Sequence, residues 1–249
     1  MKIALECPTN LLGTISPLAD FDWALCHLVL KDEEYANYFR NSNRTVVLDN
    51  SVNELLAPCS LSDMREAANI IYPDFIVPPD WLGDWEQTYD SVRTAKGYFS
   101  NNIRLIPVIQ GSSLEDCVHL ADKYYSMGYK LIAVPYDILC SRNSTLREME
   151  DSRVEVITTL GEWDFKIHLL GMTTLDEFYF YYYAVGKIWS IDTGIPVKEG
   201  LLGHLFGIDR LPDKREPTMN LMGHNSSLDK VFYNIAYLRR VIGEGYGPR

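Results

Sequence analysis

The feature that most constrains this chain is an alternation of short aliphatic runs, each closed by a polar residue, with longer amphipathic stretches. The runs are KIALE (2–6), TVVLDN (45–50), DFIVPP (74–79), RLIPVIQ (104–110), KLIAVP (130–135), KIHLLG (166–171) and KIWSID (187–192). They are nearly continuous in apolar character, which suits parallel strands buried on both faces better than strands with one wet face. The segments between them read as helices over 20–39, 60–71, 84–100, 113–128, 145–161, 174–185 and 197–206, with a last helix over 227–242. Ser60 with Asp63 three residues on has the form of an N-terminal cap, and Gly128 stands where a helix should stop.

Seven strands alternating with helices, and an eighth expected near 217–222, predict an α/β chain of the (β/α)8 TIM-like barrel class. At 249 residues the length matches one such barrel, so 1–249 is read as a single domain, with 208–225 its least regular part. No G-x-G-x-x-G or G-x-x-x-x-G-K-[ST] follows any strand, which removes the usual nucleotide-cofactor readings, and no cofactor is expected. The five cysteines (Cys7, Cys26, Cys59, Cys117, Cys140) are dispersed and odd in number, as reduced thiols would be. With no C-x-x-C or H-x-x-x-H pair, no metal site is expected either. No apolar run reaches the roughly 18 residues of a membrane span, and MKIALECPTN lacks the apolar core of a signal peptide. A cytoplasmic location without membrane contact is therefore expected. The net charge of −11 favours a small-molecule substrate over a nucleic acid, since a nucleic-acid footprint normally comes from clustered Lys and Arg. The one enriched stretch runs from Lys198 through Arg210, Lys214 and Arg215 to Lys230, Arg239 and Arg240, diluted by Asp209, Asp213 and Glu216.

In barrels of this kind the chemistry sits at the C-terminal ends of the strands. The polar residues there are Glu6, Asp49 with Asn50, Asp80, Gln110, Asp137, His168 and Asp192. Some have plainer explanations. An Asp after a strand can simply cap the next helix, which is open for Asp80 and Asp137; Gln110 can end a strand; His168, inside its run, can be a hydrogen-bonded core residue. Asp49 and Asp192 are followed by small polar or glycine-bearing turns, and a role in chemistry fits them better. Two carboxylates on one rim, one nucleophile and one acid/base, are the minimum equipment for exchange at a glycosidic carbon. That argument alone does not choose between a sugar and a nucleobase as leaving group.

The order of the motifs resembles the tRNA-guanine transglycosylase superfamily, and most closely its DNA-modifying phage branch, the 7-deazaguanine DNA transglycosylases. The resemblance runs from IALECPT to about residue 222. LDNSVNE stands at the segment carrying the acid/base aspartate, here Asp49, without that motif's two glycines. FIVPPD brings Asp80 to the aspartate that reads the guanine edge, and PVIQG brings Gln110 to the amide that reads the base carbonyl. GYKLIAVP resembles the base-pocket segment, with Ala133, Val134 and Pro135 where glycines stand in the tRNA enzymes. HLLG resembles the strand before the nucleophile and adds His168 to the base-binding candidates, and WSIDTG puts Asp192 at the nucleophile.

The resemblance implies exchange of guanine in DNA, less so in tRNA, for a 7-deazaguanine such as 7-cyano-7-deazaguanine, through a covalent aspartyl intermediate. It implies that the target nucleotide leaves its stack, with Trp81, Trp85 and Tyr136 available to stack on it or simply to pack the core. Lys198, Arg210, Lys214 and Arg215 are the candidates for phosphate contacts, or else a solvated surface. A homodimer is compatible with this reading. The C-terminal zinc subdomain of the tRNA enzymes has no counterpart, because no cysteine follows Cys140 and His224 stands alone. Two rivals keep the same residues: a metal-independent glycosidase or nucleoside-cleaving barrel, and a catalytically silent partner subunit.

Overall fold

Strands form in this chain mostly within the apolar runs, and most of their residues are buried. A computed structural model describes residues 1–99, 102–140, 144–172, 174–181, 187–209 and 228–243. Its strands are β1 (Lys2–Leu5), β2 (Asp22–Leu25), β3 (Val46–Asp49), β4 (Phe75–Ile76), β5 (Arg104–Leu105), β6 (Leu131–Pro135), β7 (Lys166–Leu170) and β8 (Ile188–Thr193). The short helices are α1 (Leu12–Ile15), α2 (Cys26–Lys31), α3 (Glu33–Arg40) and α4 (Val52–Leu55). Then come α5 (Leu61–Ile71), α6 (Trp85–Tyr98), α7 (Leu114–Ser126), α8 (Leu146–Thr159), α9 (Glu177–Phe180), α10 (Ile195–Leu202) and α11 (Asp229–Gly243). Among the described residues no helix is long and apolar enough to cross a membrane.

The result is a mixed α/β domain with two open four-stranded sheets, ordered β1-β8-β7-β6 and β2-β3-β4-β5. Every pairing is parallel, so all C-terminal strand ends within each sheet point one way. The sheets approach each other at two places. Val108 bridges Ala133 in parallel, with Ala133 N donating to Pro107 O and Ile109 N to Ala133 O, both at 2.9 Å. At the other margin Asp20 N donates to Ile3 O at 2.7 Å, and Ile3 N to Asp20 Oδ2 at 2.8 Å.

Strand residues divide by parity, as the pleat requires. Ala4, Trp23, Leu25, Val47, Phe75, Val77 and Ala133 form one apolar cluster drawn from both sheets. Their neighbours Ile3, Ala24, Leu48, Ile76, Ile132 and Val134 belong to a second cluster shared with the helices. Helix ends follow the chain's own signals. Ser60, Ser113 and Thr145 each close a capping box with the acid three residues on, and Asp84 caps α6. All five cysteines are free thiols.

One expectation is corrected. Residues 20–39 were expected to be a single helix, yet the segment opens with β2 before α2 and α3. Buried Asp22, at the start of that strand, accepts hydrogen bonds from Ser16 Oγ and Ser42 Oγ, each at 2.6 Å, and its backbone N–H donates to Thr45 O. The strand that completes eight is therefore β2; the stretch near 217–222 lies outside the described residues.

Candidate active site

Because the strands are parallel, their C-terminal ends converge, and a cavity of about 450 Å³ opens there. Six carboxylates line it: Glu6, Asp49, Glu54, Asp80, Asp137 and Asp192. Among the described residues no Lys, Arg or His lines it. Such crowding puts Glu6, Asp49, Glu54 and Asp80 out of water and in their neighbours' field, and both effects favour the protonated acid.

Asp192, near the end of β8 and only 5% exposed, is held from two sides. His168 Nε2 donates to its Oδ1 at 3.0 Å and Gly171 N donates to the same oxygen at 3.1 Å. His168 is itself fixed: its Nδ1 pairs with Ser190 Oγ at 2.7 Å, and Trp23 stacks on its ring at 4.7 Å and 21°. The β7–β8 register makes this possible by setting His168 beside Ser190. Gly171 has φ +68°, a conformation natural to glycine, and that turn aims its N–H at Asp192. Behind it Arg153, fully buried on α8, donates through Nη1 and Nη2 to Gly171 O at 2.9 and 3.0 Å and faces Glu177 at 3.7 Å.

Glu6, just past β1, has its carboxyl pushed well above the usual range, first by burial and then by the nearby Asp192 and Glu54. Asp49 is also raised, by burial and then by Glu54, against the opposing pull of the Ser51 N–H that it accepts at 2.7 Å. Glu54, on the short helix α4, is raised chiefly by burial, and its Oε2 is buried with no hydrogen-bond partner among the described residues.

Asp80 and Gln110 form a second polar wall. Asp80 accepts from Asn50 Nδ2 at 2.7 Å on Oδ1 and from Gln110 Nε2 at 2.6 Å on Oδ2. Burial raises it to about 6 even though these two amide donors pull the other way. Gln110 Oε1 accepts from Gly83 N at 3.3 Å, so the amide's orientation is set, with one Nε2 hydrogen beyond its bond to Asp80.

Asp49, Asp80, Gln110, Pro135 and Asp192, all read from sequence, thus meet in one cavity, together with Trp81 and Tyr136. Other placements differ. Ala133 and Val134 are fully buried in the two apolar clusters and do not line the cavity. His168 stands behind Asp192 and does not line the cavity either. Trp85 packs edge-on against His119, away from the cavity. Lys198 is 6% exposed within α10, so it offers no surface cation for a phosphate. Arg210, Lys214 and Arg215 lie outside the described residues. Glu54 and Arg153 carried no strand-end signal and were missed; Glu6 had the signal but no assigned role. Among the described residues no group of three or more His, Cys, Asp or Glu is arranged to hold a metal.

The chain matches no protein-family model and no curated protein.

Proposed function

We propose that this chain is a base-exchange transglycosylase on a (β/α)8 barrel, replacing guanine in DNA with a 7-deazaguanine through a covalent aspartyl–glycosyl intermediate. Closure of the two sheets at the Val108–Ala133 and Ile3–Asp20 margins is supported by the interior cluster they share. The observation that carries the function is Asp192, fixed by His168 and Gly171, sharing one cavity with the raised carboxyl of Asp49 and the Asp80–Gln110 wall.

Asp192 attacks C1′ of the target nucleotide, the C1′–N9 bond breaks, and its electron pair leaves with guanine as Asp49 gives the base a proton. A carboxyl held protonated by burial suits that first task. In the second half Asp49 takes the N9 proton of the incoming base, N9 bonds to C1′, and the bond from C1′ to Asp192 breaks. Asp80 and Gln110 read the purine edge, and a wrong base leaves these buried polar groups unpaired.

Labelled guanine incubated with purified protein and either DNA or tRNA tests this. Incorporation into DNA that disappears in Asp192→Ala and Asp49→Asn supports the reading. Incorporation into tRNA alone keeps the chemistry and replaces the polymer. A cavity lined, among the described residues, by six carboxylates and no cation also suits a neutral glycoside or nucleoside. Asp192-dependent hydrolysis of free nucleosides without exchange would establish that second reading. Absence of both activities in folded protein would point to a silent partner subunit.

A further inference from the structure

At the opposite ends of the strands lies a second cavity, of about 550 Å³, within the range of small-molecule sites. It is formed where β4 to β8 begin, beside the end of α6, and it shares no lining residue with the carboxylate cavity. Its charge is reversed. Lys96, Arg104, Lys130 and Lys166 line it, all exposed, and among the described residues no carboxylate does. In a chain of net charge −11 such a set stands against the general field. The walls between the cations are aromatic: Phe75, Phe99, Tyr129 and Trp189. Several cations lie on rings, Arg104 at 3.8 Å over Phe75, Lys96 at 5.9 Å over Tyr129 and, just behind, Lys2 at 5.3 Å over Trp189. Ring contact restrains these long side chains, so less freedom is lost when an anion arrives.

An occupant of this cavity needs a flat apolar body for the rings and a multiply charged anionic group for the cations. We propose that it binds a nucleoside polyphosphate, with the base among the aromatic walls and the phosphates between Lys96, Arg104, Lys130 and Lys166. Each half adds to the other: a bare anion gains nothing from the aromatic walls, and a bare nucleoside gains nothing from the cations. The site is independent of the catalytic reading above.

Adenosine triphosphate is the probe, titrated calorimetrically into the full chain at low salt. Saturation at one site per chain is expected, with adenosine and inorganic tripolyphosphate each weaker by at least about tenfold. Lys96→Glu with Lys130→Glu should weaken the triphosphate by at least about tenfold. Both side chains are exposed, so the thermal midpoint should hold, and Lys96→Met with Lys130→Met gives a milder check. Asp192→Asn should leave binding unchanged. No saturable binding would overturn the proposal. So would tripolyphosphate binding as tightly as the nucleotide, or binding that survives the lysine reversals and is lost in Asp192→Asn.

Discussion

The crowded carboxylates make stability depend on pH in an unusual direction, and Asp80 lets the size be worked out. Its ordinary value is 3.8 and burial raises it to about 6 in the folded chain. A carboxyl with a raised folded-state value binds more protons folded than unfolded, so its contribution is greatest below the unfolded value and is lost as pH rises through the folded one. The difference corresponds to about 3 kcal/mol, given up between roughly pH 4 and pH 7. Asp80 is 2% exposed, so solvent screening takes little from that figure. Glu6, Asp49 and Glu54 are raised too and act with the same sign. The assay is urea denaturation at several pH values for the natural chain and Asp80→Asn. The variant carries a constant penalty, because an Asn amide cannot accept from both Asn50 and Gln110. Only the slopes are compared. The natural chain should lose about 3 kcal/mol more than the variant across this window. Parallel slopes, or a natural chain that gains stability as pH rises from 4 to 7, would refute the reasoning.

Three further outcomes follow from the same contacts. Gly171→Ala places a methyl 3.0 Å from Tyr136 Cδ1 at φ +68°; it should cost about 1–2 kcal/mol in denaturation and, by moving the N–H that holds Asp192, lower the exchange rate about tenfold or more. Arg153→Met leaves the buried Glu177 carboxylate without its cation and should cost about 3–5 kcal/mol, part of it restored by adding Glu177→Gln, which a double-mutant cycle measures. Gly200→Ala sets a methyl 2.5 Å from Val231 Cα, where α10 crosses α11; a loss of about 1–3 kcal/mol in thermal unfolding, with little change in the catalytic cavity, is expected.

The strand runs were legible because burial on both faces leaves an unbroken apolar signature, and seven of the eight strands among the described residues coincide with such runs. Asp22–Leu25 escaped because Trp23, Leu28, Leu30, Tyr35 and Phe39 are spaced like the face of one helix, and four residues are too few to show their own period. What makes them a strand is non-local: the ladder to Val46–Asp49 and the hydroxyls that satisfy Asp22. The gathering of Asp49, Asp80, Gln110 and Asp192 was legible for a simple geometric reason. Parallel strands carry their last residues to one end, whatever their separation in sequence. The support behind them was not. His168 meets Asp192 through a strand register, and Arg153 reaches Gly171 from a helix eighteen residues earlier, and neither relation leaves a local pattern.

The acidity that argued against a nucleic-acid substrate takes a different meaning once the charges are placed. On the proposed reading, a cavity lined by six acidic side chains offers the phosphates of a polymer no cation among the described residues, and it suits a neutral base and its sugar better. There the field is useful. The transition state at C1′ has oxocarbenium character, and its positive charge develops beside Asp192 while raised carboxyls nearby keep protons to give. Cations lining the same cavity would oppose that charge and hold the phosphates at the wrong depth. A basic surface for the polymer is therefore needed outside the cavity, and Lys198, buried in α10, does not provide it. Lysines placed inside the cavity, for instance Glu54→Lys, should strengthen binding to DNA while slowing exchange, and the opposite signs of those two effects distinguish a catalytic field from mere surface charge.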